Sequence, residues 1–230
     1  MSCCYVLDLR LMPDGVSAHS YVYSILRELG PGEGLRLWTP DDPALLMAQL
    51  QHQMRHKLVW SSVYDQAGWL IHMRIRGADE PLPLADTLQR DHEKMDARLV
   101  RALAHLADRD WCAAVGEVAD LGRALRAHIA IENELLAPLG GARVAEATAI
   151  MRREHDDVLV QLDQIGEVCV SSGDNCQELD TWLGLLAASL NKHEHREESL
   201  LFPYWTRVLA QRPSSDELLR EVRSRLDEDA

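Results

Sequence analysis

The sequence lacks the features that would take a protein to a membrane or to nucleic acid. Its 230 residues contain no apolar run near the roughly 20 residues that a membrane-spanning helix needs. No basic segment followed by an apolar stretch stands at its start, so no signal peptide is predicted. Acidic residues outnumber basic ones 37 to 24, the net charge is −13, and no long basic run is present. These absences argue against a nucleic-acid or anionic-membrane partner.

Cysteine is also scarce, and its spacing predicts no disulfide framework. The five cysteines are odd in number and scattered: Cys3, Cys4, Cys112, Cys169 and Cys176. A reducing cytoplasm is therefore the expected compartment. Cys3 and Cys4 are adjacent at the chain start, where such a pair is most often incidental. The alternative is a redox or metal-transfer pair.

Residues 1–78 have the mixed pattern of a small α+β domain with the order βαβαββ. Turn signals such as Gly30-Pro31-Gly32 separate its elements. The predicted strands are Tyr5–Leu9, Gly34–Thr39, Leu58–Tyr64 and Trp69–Arg76, and the predicted helices are Ala18–Leu29 and Pro43–Arg55. Residues 79–83 are rich in proline and poor in apolar side chains, which indicates a linker.

The rest of the chain, residues 84–230, has helical periodicity. Helices are predicted near 84–107, 111–138, 143–171 and 177–210, with a shorter amphipathic helix near 215–228. The connections between the four long helices are short, which favours antiparallel neighbours. The expected architecture is an up-down-up-down four-helix bundle, so the protein as a whole should be mainly α-helical.

An internal repeat runs through this helical part. His128, Glu132 and Pro138 recur 65 positions later as His193, Glu197 and Pro203, and Arg90 and His92 recur 63 positions later as Arg153 and His155. Two helical hairpins related by a pseudo-two-fold axis would put equivalent side chains on opposite sides of one centre.

Six metal-capable side chains of the repeat occupy positions where a bundle helix normally carries apolar residues. Four of them form two His-x-x-x-Glu pairs, His128 with Glu132 and His193 with Glu197. This four-residue step puts both side chains of a pair on one helix face. The predicted inward series are Leu88, His92, Met95, Leu99, Ala102 and Leu106; Val118, Leu121, Leu125, His128, Glu132 and Leu135; Met151, His155, Val158, Leu162, Ile165 and Cys169; and Leu183, Leu186, Leu190, His193, Glu197 and Leu200.

Burying two unpaired carboxylates is costly, so a compensating charge is required. We therefore predict a site for two metal ions with the ligands His92, His128, Glu132, His155, His193 and Glu197. The alternative for any single histidine is a hydrogen-bonded core residue. His105 and His195 lie off the inward series and are predicted at the surface.

The ligand types favour iron, with manganese or zinc as alternatives. No thiolate belongs to the set, which argues against an iron–sulfur cluster or a structural zinc finger. Two glutamates projecting into one core can bridge two metals. Such a site keeps coordination positions open for oxo, hydroxo, dioxygen or nitric oxide.

The helical region resembles the hemerythrin-like (HHE cation-binding) family. The resemblance rests on Asp91-His92-Glu93, on HIAIENELLAP around His128, on Glu154-His155-Asp156 and on HEHREESLLFP around His193. It covers roughly residues 84–210. It implies a four-helix fold, an oxo- or hydroxo-bridged non-heme di-iron centre, and reversible binding or sensing of dioxygen or nitric oxide.

Two positions depart from the oxygen-carrying members of that family. Leu159 stands where they have a fifth histidine, and Glu198 stands at the place of their aspartate-type bridge, although Glu197 fits the His-x-x-x-Glu variant. The four-histidine, two-glutamate set is more similar to bacterial proteins implicated in repairing damaged iron–sulfur centres. Residues 1–78 are distantly similar to sulfur-carrier proteins, with Met12-Pro13 where those have Cys-Pro.

Four functions stay open on these residues. The first is a di-iron protein that binds or senses dioxygen or nitric oxide. The second is iron–sulfur repair or iron donation, with the N-terminal domain recognising a protein partner. The third is a redox enzyme, which no acid–base pair outside the ligand set supports. The fourth is a structural bundle holding zinc or no metal.

Overall fold

A computed structural model describes residues 4–12, 15–171, 176–212 and 215–228 of the chain. The protein is mainly helical and has a small N-terminal sheet, as predicted. The chain divides into two compact units, one ending at Leu82 and the other beginning at Pro83. Cys3 and Pro13, which the sequence singled out, lie outside the described residues.

The N-terminal unit is a four-stranded sheet with two helices. Its elements are β1 (Cys4–Asp8), α1 (Ala18–Glu28), β2 (Gly34–Thr39), α2 (Ala44–Met54), β3 (Leu58–Asp65) and β4 (Gly68–Ile75). The strand order is β1-β2-β4-β3, with β1 parallel to β2 and the other neighbours antiparallel. Alternate strand residues such as Leu35, Leu37 and Ile71 share one buried cluster with Val22 and Leu50 from the helices.

Over its described residues, the second unit consists of six α-helices. They are α3 (Leu84–Ala107), α4 (Trp111–Ile131), α5 (Ala145–Val170), α6 (Cys176–Arg196), α7 (Phe202–Leu209) and α8 (Ser215–Glu228). The principal packing partners are α3 with α4 and α5 with α6. Asp110 caps α4 by accepting a hydrogen bond from the backbone N–H of Ala113, so the chain between α3 and α4 is only three residues long.

Both His-x-x-x-Glu segments end in a π-helical turn. α4 continues into a π turn at Glu132–Leu136, and α6 continues into one at Glu197–Leu201. The sequence prediction that Leu200 faces the core is wrong: its side chain is 53% exposed, and Leu201 is fully buried instead. A π turn closes i→i+5 hydrogen bonds and takes an extra residue, so the next inward position after the glutamate comes four residues later rather than three.

The same shift occurs in the first half of the repeat, where Leu136 is fully buried and the predicted Leu135 is only half-buried. In α5, Cys169 is likewise half-buried, and its neighbour Val168 takes the core position. The predicted inward series of α3 is confirmed, since all six of its residues are buried.

Two apolar clusters of the second unit enclose a polar layer between them. One includes Met95, Leu125 and Leu190, and the other includes Leu88 and Phe202. The polar layer contains the candidate site.

Among the residues that the structure describes, no helix combines the length and apolar character needed to cross a membrane.

Candidate metal centre

The structure brings all six predicted ligand residues into the polar layer of the second unit. One histidine comes from each of α3, α4, α5 and α6, and the two glutamates come from the first positions of the π turns. The six side chains are at most 5% exposed: His92, His128, Glu132, His155, His193 and Glu197. By contrast, His195 is exposed and His105 is half-buried.

The four imidazoles form two pairs. The Nε2 atoms of His92 and His128 are 3.1 Å apart, and those of His155 and His193 are 3.2 Å apart. Each pair takes one histidine from a helix that has a His-x-x-x-Glu pair and one from a helix that has none. The pairs are therefore the equivalent parts of the two repeats.

Each glutamate faces both imidazole pairs. Glu132 has Oε1 3.4 Å from Nε2 of His128 and Oε2 3.2 Å from Nε2 of His155. Glu197 has Oε2 3.5 Å from Nε2 of His92 and Oε1 3.1 Å from Nε2 of His193. This is the arrangement of two carboxylates that can bridge two cations, one beside each pair.

The donor set fits metal ions by chemistry as well as by position. Ligand atoms of Glu132, His155, His193 and Glu197 lie within 4.8 Å of one another, as do those of His92, His128 and Glu197. Among the described residues, none donates a well-oriented hydrogen bond to the four buried oxygens of the two glutamates. Buried carboxylates that lack donors require a cation.

Every imidazole of the site has an acceptor at its other ring nitrogen. His128 Nδ1 lies 2.8 Å from Asp91 Oδ2, and His193 Nδ1 lies 3.2 Å from Glu154 Oε2. Asp91 and Glu154 directly precede the ligands His92 and His155. Arg196 also pairs with Glu154. These acceptors hold each ring with Nε2 facing the centre.

The other two imidazoles use the residues that follow the glutamates. His92 Nδ1 lies 3.1 Å from Glu198 Oε1, and His155 Nδ1 lies 3.1 Å from Asn133 Oδ1. Sequence reasoning missed these four acceptors as functional residues. The internal repeat could have revealed them. Asp91 recurs as Glu154 after 63 residues, and Asn133 recurs as Glu198 after 65 residues, the same offsets that relate the candidate ligands.

The short Nε2–Nε2 distance within each imidazole pair limits how many protons the pair can hold. When both Nδ1 atoms donate to outer acceptors, a hydrogen bond between the two Nε2 atoms requires one extra proton per pair. Two such protons carry the charge that balances Glu132 and Glu197. The six candidate ligand side chains would then be neutral as a set.

The pKa shifts agree with this picture. Burial lowers the pKa of His92, but the carboxylates of Glu197 and Glu198 outweigh it and raise the pKa to about 9. Burial likewise opposes protonation of His155, but Glu132 and Glu197 raise its pKa to about 9. Burial acts against ionisation of Glu197, yet the close imidazoles of His155, His193 and His92 hold its pKa well below the usual range.

A third buried carboxyl group, Glu194, lies beside this cluster. Its side chain is 9% exposed and follows His193 on α6. Burial raises the pKa of Glu194 to about 7, although the nearby His92 acts in the other direction. The sequence analysis did not single this residue out.

One comparison with known proteins bears on this centre. Residues 146–228 match the family model of the hemerythrin HHE cation binding domain. The matched region includes His155, His193 and Glu197, the candidate ligands of the second repeat. His92, His128 and Glu132 lie outside the matched region and join the site through the fold. No curated protein and no solved structure matches the chain.

The outer acceptors give a first testable expectation. Asp91→Asn removes the negative charge that Asp91 places beside Nδ1 of His128 while keeping its shape, and we expect metal affinity to fall about 10- to 100-fold. Competition with a calibrated chelator measures this. The matched control is Asp156→Asn, since Asp156 is exposed next to His155. An equal loss in both variants would show that the charge beside His128 has no specific role.

Proposed function

We propose that the second unit holds two metal ions, with iron as the resident metal, and that the protein binds or senses dioxygen or nitric oxide. The observation that carries the proposal is the pair of buried glutamates, each of which faces two imidazole pairs across a pseudo-two-fold centre. The hemerythrin HHE match over residues 146–228 supports cation binding.

In this proposal His92 and His128 hold one ion, His155 and His193 hold the other, and Glu132 and Glu197 contact both. Bound iron would supply reversible one-electron chemistry and open positions for a diatomic ligand. The protein keeps the imidazole rings in place through the outer acceptors. It also excludes bulk water, because apolar residues enclose the site on both sides.

Space for a small ligand exists next to the histidines. A cavity of about 10 Å³, enough for a water-sized molecule, is lined by His92, His128 and His193 together with apolar side chains. A site with this access suits binding or sensing better than a closed structural role. We therefore propose a binding protein rather than an enzyme.

The second candidate is iron–sulfur repair or iron donation to a partner protein. Two observations favour it. Leu159 is partly buried against the apolar core, so the position of the oxygen carriers' fifth histidine is used for packing. The separate N-terminal unit gives the chain a second surface for recognising a partner. The scattered cysteines favour a reducing compartment, so we propose a cytoplasmic location for either function.

The deciding experiment is metal content per chain together with an absorption spectrum, measured on anaerobically purified protein before and after exposure to air. About two irons per chain with a near-ultraviolet band that depends on air would support the di-iron proposal. Two zincs, or a folded protein without metal, would instead favour a structural bundle. Restored activity of a damaged iron–sulfur enzyme on addition of the iron-loaded protein would single out repair.

A further inference from the structure

Glu194 is a buried carboxyl group that the proposed ligand set does not use. Its Oε1 atom is fully buried and has no hydrogen-bond partner within the described ranges. Its atoms do not belong to either cluster of mutually close ligand atoms. A buried carboxyl group without a hydrogen-bond partner costs free energy whether it would donate or accept, so a group with this environment calls for a functional explanation.

Glu194 also borders the cavity beside the histidines. Glu194 lines that cavity with His92, His128 and His193, and the rest of its wall is apolar: Met95, Leu125, Ile129, Val158 and Leu190. The three histidines of this wall are proposed metal ligands, whereas Glu194 is a polar lining residue that is not. A molecule in this space would meet three imidazoles and a single carboxyl group.

Only the second half of the internal repeat has a carboxyl group at the position of Glu194. Glu194 lies one residue after His193, and the equivalent residue after His128 is Ile129. Both side chains line the same cavity, and both are buried. The fold therefore accepts an aliphatic side chain at this position, so packing does not require the carboxyl group of Glu194.

We infer that the carboxylic acid O–H of Glu194 donates a hydrogen bond to the outer atom of a small nitrogen- or oxygen-containing ligand that occupies this cavity. The inference rests on the proposed metal site, which would hold the inner atom. Glu194 is then a positioning residue that discriminates between ligands by their ability to form a hydrogen bond. The aliphatic remainder of the wall restricts the size of the ligand.

Nitric oxide added to the ferrous-loaded, full-length protein tests this inference. The N–O stretching frequency is recorded by infrared spectroscopy in H2O and in D2O, and the dissociation constant is measured by titration. The variants are Glu194→Gln, which keeps a hydrogen-bonding group, and Glu194→Ile, which copies the other repeat. Ile129→Val is the matched control, since it alters the same cavity wall without changing its polarity.

The wild-type protein and the Ile129→Val and Glu194→Gln variants should show a stretch that shifts between H2O and D2O. Glu194→Ile should lose that shift and bind nitric oxide about tenfold more weakly, the effect of one hydrogen bond. A wild-type stretch that is insensitive to D2O, with equal affinity in all four proteins, would overturn the inference. Failure of the wild-type protein to bind iron would instead count against the proposed function.

Discussion

Glu132→Ala is expected to reduce the bound metal from about two ions per chain to fewer than one. Glu132 presents one oxygen to His128 and the other to His155, so its removal takes a ligand from both sides of the centre. His128→Ala should have a smaller effect, because it leaves the His155–His193 pair with both carboxylates. Elemental analysis after matched reconstitution measures the difference.

His195→Ala is the matched control for these variants. His195 lies two residues from His193 on the same helix, but its side chain is exposed. It should keep the full metal content. Equal metal content in His195→Ala, His128→Ala and Glu132→Ala would refute the site assignment. Far-ultraviolet circular dichroism of each variant separates loss of ligands from loss of fold.

Metal affinity should rise steeply with pH. We infer that the hydrogen bond within each imidazole pair holds one extra proton, which a metal ion must displace. Although burial opposes it, Glu132 and Asp91 also raise the pKa of His128, so we assign the proton of that pair to His92 and His128 jointly. Because the pKa values of His92 and His155 are raised to about 9, both protons are present at neutral pH. Each ion displaces one proton, so the affinity for each ion should change about tenfold per pH unit between pH 6 and 8, and the overall constant for binding both ions about a hundredfold. Chelator competition at three pH values measures this slope.

Stability should respond to pH in opposite ways with and without metal. A histidine whose pKa is raised from 6.5 to about 9 stabilises the fold fully below pH 6.5, and this contribution is lost as the pH rises through 9. The melting temperature of the metal-free protein should therefore fall over this range, while bound metal becomes more stabilising. A metal-free melting temperature that stays constant from pH 6.5 to 9 would contradict the proton assignment.

The helices were predictable from the sequence because their signals are local. Apolar residues repeat with helical spacing through α3, and Pro81 and Pro83 separate its start from the preceding sheet. The six ligand candidates were equally visible, because each interrupts an otherwise apolar series. A charged or imidazole side chain at such a position needs a polar or charged partner. The four-residue His–Glu step and the offsets of the internal repeat indicate which residues those partners are.

Other features depend on tertiary structure that the sequence does not display. The position of β4 between β2 and β3 depends on packing across the sheet, not on any local pattern. The π turns were missed because Leu200 and Leu201 are both leucines, so hydrophobicity cannot choose between them. Glu194 was missed because no sequence pattern indicates that its side chain is buried beside a cavity.

The equivalent positions of the two π turns bear on the ancestry of the protein. An extra residue directly after His-x-x-x-Glu occurs in both halves, at Glu132–Leu136 and at Glu197–Leu201. Its simplest origin is one ancestral hairpin that already contained the turn and was later duplicated. Two separate copies of that hairpin would have had to meet to form one site, so assembly would have depended on their concentration. Fusion of the two copies would remove that dependence and would let positions 129 and 194 diverge.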